Sequence, residues 1–186
     1  SGEHRHEHDD DRDDERGRHR GVRGLLVVNH EYEDPALTCA TLSYATEAMS
    51  QDKVEVQLAA HGVSVVELRE RHGAIEVKRG SRYNRRITGA TPMRISGPAA
   101  GHALLRTAAD PADRRVLGTL NNCASGITPW GTYLTCEENF IFYFKGPDQP
   151  DAHQTRWGLR RGDPVGYRWH EHDARFDAAR HPNEPN

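Results

Sequence analysis

The densest group of side chains that could carry out chemistry lies in the segment NNCASGITPWGTYLTCEENF, residues 121–140. Near its end, Cys136 is followed directly by the carboxylates of Glu137 and Glu138. Burying carboxylates without a cation or a partner is energetically costly, so a bound cation would stabilise such a cluster. Sulfur selects a transition metal, whereas carboxylate and amide oxygens suit a hard ion such as Ca²⁺ or Fe³⁺, which favours a mixed metal cluster. The structural alternative packs Cys136 as a small apolar side chain and leaves both glutamates in water.

A second group of candidate ligands ends the apolar run GLLVVNHEY, residues 24–32. Asn29 and Glu31 offer one neutral and one charged oxygen ligand of the kind that calcium takes. The alternative is that both residues cap a loop. His30 lies between them, and a hydrogen-bonded imidazole is a better interpretation for it than a metal ligand.

Two other polar runs are weaker candidates. In the run WHEHD, residues 169–173, Glu171 is the best functional candidate, although a structural loop near the site is the favoured interpretation. The arginines within residues 82–86, together with Arg94, could bind phosphate, because a guanidinium can form two parallel hydrogen bonds to it. Arginine provides 22 of the 25 basic residues, however, so ion-paired or solvated surface is the better interpretation.

The elements that must position these residues are mostly short strands. Runs rich in β-forming residues predict strands at residues 24–32, 63–68, 74–78, 115–120, 133–135, 140–145 and 165–169. The first run is apolar enough to predict a buried strand, and the charged RERHG after the second predicts a hairpin. The Gly-, Pro- and Arg-rich stretches 88–107 and 146–164 predict long loops. Short strands joined by turn-rich loops predict an all-β fold, either a sandwich, a barrel or a propeller.

One helix is predicted, over residues 45–60, because this stretch lacks Gly and Pro and is soon followed by a glycine. Thr46 is the candidate N-cap. The expected apolar face is formed by Met49, Val56 and Ala59. The sequence thus places one helix within an otherwise β-rich chain.

Composition and charge exclude several classes of protein. The chain has 186 residues and a formal net charge of −3. Residues 1–20 contain eight Asp or Glu, five Arg and four His with no apolar side chain, so a disordered tail is predicted there. Residues 21–186 carry 20 acidic and 20 basic side chains, which disfavours a nucleic-acid partner. No apolar run approaches the ~20 residues of a transmembrane segment, and the sequence shows no export signal.

Five segments of the chain closely resemble the PhoX family of exported alkaline phosphatases. They are GLLVVNHEY, HGVSVVEL, RYNRRITGATPMRISGPAAGH, NNCASGITPWGTYLTCEENF, and YRWHEHDARFD with the terminal HPNEPN. The resemblance covers nearly everything from Gly24 to Asn186, and the Thr-Pro-Trp-Gly-Thr run followed by Cys-Glu-Glu-Asn is long and specific. It implies a six-bladed β-propeller that holds iron and calcium ions in a central site and hydrolyses phosphate esters.

By this resemblance, residues 21–186 are the N-terminal part of such a domain, an incomplete six-bladed β-propeller with the first few blades and one inserted helix. The implied function is a metal-dependent phosphatase that acts on small phosphate esters. The family chain continues well past a motif like NEPN, so a fragment lacking part of the active site is expected. The same resemblance implies a periplasmic or secreted protein. A non-catalytic calcium-binding propeller or an interaction module is the alternative.

The resemblance also implies which residues bind metal. Cys136 is the expected iron thiolate, because it ends a strand whose exit should point into the central channel, and Cys123 is the competing candidate. Glu137 and Glu138 would point to opposite faces of a regular strand, so only one would normally reach the same ion. The expected ligands are Cys136, Glu137, Glu138, Asn29 and Glu31, with Cys123, Asn122 and Glu171 as further candidates. No residue is assigned a catalytic role.

Overall fold

The computed structural model describes residues 21–39, 48–108, 110–112, 114–163 and 165–185. The expected disordered tail of residues 1–20, and Thr46 with the start of the expected helix, lie outside the described residues. The described part is mostly β-structure, arranged in three small antiparallel sheets with short helical segments between them. These sheets do not close into a ring within the described residues.

The largest sheet has four strands built around one central strand. β2 (Gly62–Arg71) pairs antiparallel with β1 (Arg23–His30) along the full length of β1. On its other side, β2 pairs with β3 (Ala74–Val77) near its end and with β4 (Arg85–Ile87) near its start. The register of β1 on β2 sets where the chain leaves the sheet, and therefore where Glu31 lies.

The expected hairpin between the second and third predicted strands is confirmed. β2 and β3 are joined by His72 and Gly73, which have φ values of 53° and 78°. Positive φ at both central residues matches the right-handed twist of the flanking strands, which is why this turn closes a two-residue hairpin. The strand at 24–32 is also confirmed in position, but β1 is mostly exposed rather than buried.

The two smaller sheets are hairpin-like pairs. β5 (Pro92–Arg94) pairs with β6 (Arg115–Leu117). β7 (Asn122–Ile127) pairs with β8 (Tyr133–Glu137), and the register shifts between Asn122 and Ser125. Two residues of β7 therefore lie opposite one residue of β8, which is a β-bulge.

Three α-helices lie within the described residues, where one was expected. They are α1 (Pro35–Thr38), α2 (Gln51–Ala60) and α3 (Ala152–Trp157). α2 begins after Ser50, whose hydroxyl accepts from the Lys53 N–H. α3 lies in a stretch expected to be a loop, and a capping box between Asp151 and Gln154 starts it. None of the helices in the described residues is long and apolar enough to span a bilayer.

The main core cluster of the described residues packs α2 against Leu120 and the segments that follow β8. It contains ten buried residues: Met49, Val54, Leu58, Leu120, Tyr143, Phe144, Leu159, Trp169, Phe176 and Ala178. Trp169 is at its centre, with its ring 4.6 Å from that of Tyr143 and 4.9 Å from that of Phe176. Of the expected helix face, Met49 is buried but Val56 and Ala59 are exposed. Val54, Gln57 and Leu58 form the buried face of α2 instead.

The strands expected at 140–145 and 165–169 are wrong. Phe140–Tyr143 and Trp169–Glu171 are 3-10 turns. Both runs are aromatic because Tyr143 and Trp169 fill the core, and a short apolar run does not reveal by its periodicity whether it is extended or helical. Packing of the aromatic rings in the core therefore favours the 3-10 conformation in both segments.

Candidate metal centre

Three side chains that are far apart in the sequence come together at the ends of two sheets. Donor atoms of Glu31, Cys123 and Glu138 all lie within 4.8 Å of one another. Glu31 directly follows β1, Cys123 lies in β7 and Glu138 directly follows β8. Glu31 is half-buried, whereas Cys123 and Glu138 are exposed. A search of the described residues for at least three such donors around one point finds this group alone.

The bulge in β7 is where Cys123 leaves the regular alternation of the strand. Asn122 pairs with Glu137 and Ser125 pairs with Thr135, so Cys123 and Ala124 together lie opposite Cys136. Bulges are common beside functional sites because the extra residue re-aims a neighbouring side chain. The bulge therefore explains how the Cys123 side chain, near the start of β7, reaches the residues that follow β1 and β8.

Asn29 ties the end of β1 to the hairpin. Its Nδ2 donates to the carbonyl oxygen of Cys123 at 3.1 Å. Its Oδ1 accepts from the hydroxyls of Tyr133 at 2.8 Å and Thr135 at 3.2 Å. A carbonyl oxygen can only accept, so the amide orientation of Asn29 is fixed. Asn29 thus holds the backbone of Cys123, and its oxygen already has two donors.

Glu138 is held through its backbone. Its N–H donates to the carbonyl oxygen of Asn121 at 3.0 Å, and the N–H of Asn139 donates to Asn121 Oδ1 at 2.9 Å. Asn121 has a φ of 52°, a left-handed conformation that asparagine adopts more readily than most residues. The residue directly before β7, the strand that contains Cys123, therefore also anchors the segment that carries Glu138.

The two carboxylates change the acidity of the thiol between them. The pKa of Cys123 is raised to about 11, mainly by its hydrogen bond to the Glu138 carboxylate. Burial and the negative charges of Glu138 and Glu31 raise it further. These effects all favour the protonated thiol, and a cation placed among the three donors would act in the opposite direction.

The other expected ligands lie elsewhere. Cys136 is exposed on β8 and, within the described residues, belongs to no comparable group. Glu137 Oε1 accepts from the Thr119 hydroxyl and, at 2.8 Å, from the Leu120 N–H. Glu171 forms an ion pair with Arg168, with N–O distances of 2.8 and 2.9 Å.

Asn122 is fully buried, and its Nδ2 donates to the hydroxyls of Thr119 at 2.8 Å and Thr135 at 3.2 Å. His30 is hydrogen-bonded to the Ser64 hydroxyl at 2.8 Å, as expected for a structural imidazole. The structure therefore brings Glu31, Cys123 and Glu138 together, and it brings neither Cys136 nor Glu137 into that group.

The arginine-rich run has a structural role in one of its members. The guanidinium of Arg86 donates to the carbonyl oxygens of Ala59, Ala60 and His61 at 2.8–3.0 Å. These are carbonyls at the end of α2, which lack partners within the helix. Arg86 is thus a helix cap, which supports the structural interpretation of this residue over phosphate binding.

Comparison with known proteins places these features in a family. The family model for the alkaline phosphatase PhoX matches residues 10–186. A solved structure of Pseudomonas fluorescens PhoX in complex with vanadate, a transition state analogue, is 44% identical with a TM-score of 0.78. The match covers 89% of this chain and 28% of that one, so the chain spans less than a third of the length of this relative. A search of curated proteins gives no match. By its sequence and its fold, the chain belongs to the PhoX family of alkaline phosphatases.

Proposed function

We propose that this chain is part of a metal-dependent phosphatase that hydrolyses small phosphate esters, with Glu31, Cys123 and Glu138 as metal ligands. The observation that carries the proposal is the convergence of these three donors within 4.8 Å, although Glu31 lies 92 residues before Cys123 and 107 before Glu138. Cys123, the competing candidate from the sequence, takes the place of Cys136 as the metal thiolate.

The donor set fits the metals that the family resemblance implies. A thiolate selects a transition metal such as iron, and carboxylates serve both iron and calcium. Calcium takes about six to eight oxygen ligands, more than Glu31 and Glu138 can supply. Water, substrate or residues outside this group would complete a calcium site. In this assignment Cys123 would hold iron, and Glu31 and Glu138 would offer carboxylate oxygens to iron or calcium.

Residues of this chain position the proposed metal ligands and leave them accessible from the surface. When bound, the metals neutralise charge on the phosphate oxygens and activate the attacking oxygen for in-line displacement. Asn29 fixes the backbone of Cys123, and Asn121 fixes that of Glu138, so the two donors are held before any ligand arrives. Cys123 and Glu138 are both exposed, which leaves a path for a phosphate group to reach the site.

We also propose that the described sheets are the first blades of a six-bladed propeller, with the domain covering residues 21–186 of this chain. Small antiparallel sheets in sequence order, and the similarity to a PhoX structure at 44% identity, support this arrangement. The Pseudomonas fluorescens protein was solved with vanadate, a transition state analogue, which supports phosphoryl chemistry at a related site. A periplasmic or secreted location is part of the same proposal.

Two matched cysteine variants test the ligand assignment. In the full-length protein that contains this chain, we expect Cys123→Ser to remove the sulfur-to-iron absorption of the metal-loaded form and to reduce hydrolysis of p-nitrophenyl phosphate to the metal-free level. Cys136→Ser should keep both, because Cys136 lies outside the cluster. The reverse result would restore Cys136 as the thiolate. Calcium binding without any sulfur absorption or hydrolysis would support the non-catalytic alternative.

A further inference from the structure

A chain of buried side chains links helix α2 to the backbone of the metal centre. His61 and Tyr143 are both almost completely buried, as is Asn121. The hydrogen-bond distances in this series are 2.7 Å from His61 Nε2 to the Tyr143 hydroxyl and 3.0 Å from that hydroxyl to Asn121 Nδ2. Sequence patterns did not reveal this chain, because its members are separated by up to 82 residues.

The direction of every hydrogen bond in this chain is determined. His61 Nδ1 lies 2.7 Å from the Gln57 carbonyl oxygen, which can only accept, so the proton is on Nδ1. In a neutral ring Nε2 must then accept, and the Tyr143 hydroxyl donates to it. The Tyr143 oxygen in turn accepts from Asn121 Nδ2. Burial lowers the pKa of His61, which agrees with a neutral ring.

The amide orientation of Asn121 is fixed from its other side. Asn121 Oδ1 accepts from the backbone N–H of Asn139, a group that can only donate. Nδ2 must therefore face Tyr143. The carbonyl oxygen of Asn121 accepts from the N–H of Glu138, and Cys123 is two residues further along the chain. Asn121 thus links the buried hydrogen bonds of His61 and Tyr143 to the backbone segments that carry Cys123 and Glu138.

We propose that His61, Tyr143 and Asn121 are positioning residues that set the separation of Cys123 and Glu138. They touch neither donor side chain, and they act by fixing the left-handed backbone of Asn121. This inference deepens the proposed function, because it concerns the same metal centre. Partners of this kind beyond the ligands typically change metal affinity by about 10- to 100-fold when they are removed.

Tyr143→Phe is the direct test, because it deletes one hydroxyl and keeps the ring in the core. The probe is Co²⁺ alone, whose absorption reports a sulfur ligand. We expect the dissociation constant for Co²⁺ to rise about 10- to 100-fold. We also expect amide hydrogen exchange of Glu138 and Asn139 to accelerate about 10-fold or more, since both N–H groups donate to Asn121. This second measurement needs no metal.

Gln154→Met is the matched control. It removes a buried amide that bonds to Ala178 and Asp151 and lies apart from Asn121. Its Co²⁺ affinity and the exchange of Glu138 and Asn139 should equal those of the unmodified protein. If Tyr143→Phe fails to fold, Asn121→Gly removes the same link while keeping the left-handed backbone accessible. The same two changes are expected for that variant.

The outcomes separate this inference from the proposed function. If the unmodified protein binds Co²⁺ without sulfur absorption, the proposed metal ligation fails, and amide exchange alone then decides the positioning role. If Tyr143→Phe, or Asn121→Gly in its place, matches Gln154→Met in amide exchange, the inference is overturned. The inference is also overturned if the unmodified protein shows sulfur absorption and Tyr143→Phe, or Asn121→Gly in its place, keeps the Co²⁺ affinity of the unmodified protein.

Discussion

The aromatic core and the four-stranded sheet bury their apolar residues to very different extents. Trp169 and Phe176 are 0% exposed, whereas Leu25 and Leu26 of β1 are 49% and 46% exposed. In the core, rings pack against rings from segments scattered along the chain. In the sheet, β1 is held mainly by backbone pairing with β2. Side-chain burial therefore stabilises the core, and backbone hydrogen bonding has the larger share in the sheet.

The difference also explains where the proposed metal centre lies. Glu31 comes from the exposed sheet, while Cys123 and Glu138 come from the hairpin that Asn121 ties to the core. Asn29 is the bridge between the two regions, since it bonds Cys123, Tyr133 and Thr135. The site is thus assembled from one well-packed region and one region whose apolar residues are largely exposed within the described residues.

The largest effect should come from truncating the centre of the core. Trp169→Ala should lower the free energy of unfolding by about 3–5 kcal/mol, because it leaves a cavity among packed rings. Trp130, in the β7–β8 turn, is 78% exposed, and Trp130→Ala should change stability by no more than about 0.5 kcal/mol. Urea unfolding measures both. Equal losses in the two variants would show that the core is not the more stable region.

A smaller effect is expected at the end of α2, where the two regions meet. Arg86 of β4 donates to three carbonyl oxygens there, so Arg86→Met should lower the free energy of unfolding by about 1–2 kcal/mol. Within the described part of the chain, its neighbour Arg85 donates only to the Tyr83 carbonyl, which makes Arg85→Met the matched control with a smaller loss. If both variants unfold at the same urea concentration, capping by Arg86 contributes nothing measurable.

The sequence predicted the strands of the sheet better than the segments of the core. β1, β2 and β3 follow from alternating or continuous β-forming runs bounded by turns, and their positions are confirmed. Tyr143 and Trp169 also lie in runs rich in β-forming residues, yet these runs form 3-10 turns because their aromatic rings pack together in the core. Such convergence depends on contacts between distant residues, which local patterns do not contain.

The sequence named all three members of the proposed site but preferred another cysteine for it. Glu31, Cys123 and Glu138 were all candidates from the sequence, and the structure brings those three together. The preference for Cys136 assumed a regular strand that ends at the site. The bulge between Asn122 and Ser125 changes which side chains reach it, and a one-residue register shift leaves no clear signal in a single sequence.

Acid should affect the core more than the sheet. Burial lowers the pKa of both His61 and His30, and the positive charge of Arg86 lowers both pKa values further. At His61, the hydrogen bond with the Gln57 backbone and the negative charge of Glu33 partly oppose this decrease of the pKa. Below the unfolded pKa of about 6.5, the unfolded state binds more protons, so stability falls as pH decreases.

One such group changes the slope by at most about 1.4 kcal/mol per pH unit. His61 is fully buried and His30 only half-buried, so His61→Gln should flatten the decline between pH 7 and 5 more than His30→Gln. Urea unfolding across this range measures the slope. A steeper profile in His61→Gln than in His30→Gln would contradict the comparison.

The smallest effect on stability is expected on the open surface of the sheet. Leu26 is 46% exposed on β1, which also carries the exposed side chains of Leu25 and Val28. Leu26→Thr places a β-branched residue, which is favourable in strands, at an exposed position, so the free energy of unfolding should change by no more than about 0.5 kcal/mol. Because β1 lies at the edge of its sheet, its exposed apolar side chains favour association between copies of the chain. Sedimentation velocity should therefore show weaker self-association for Leu26→Thr, at nearly unchanged stability.

Leu58→Thr, at a position 5% exposed in the core, should do the opposite by destabilising the fold and leaving the native chain's association unchanged. An unaltered association of Leu26→Thr would mean that the exposed face of β1 does not mediate contacts between chains.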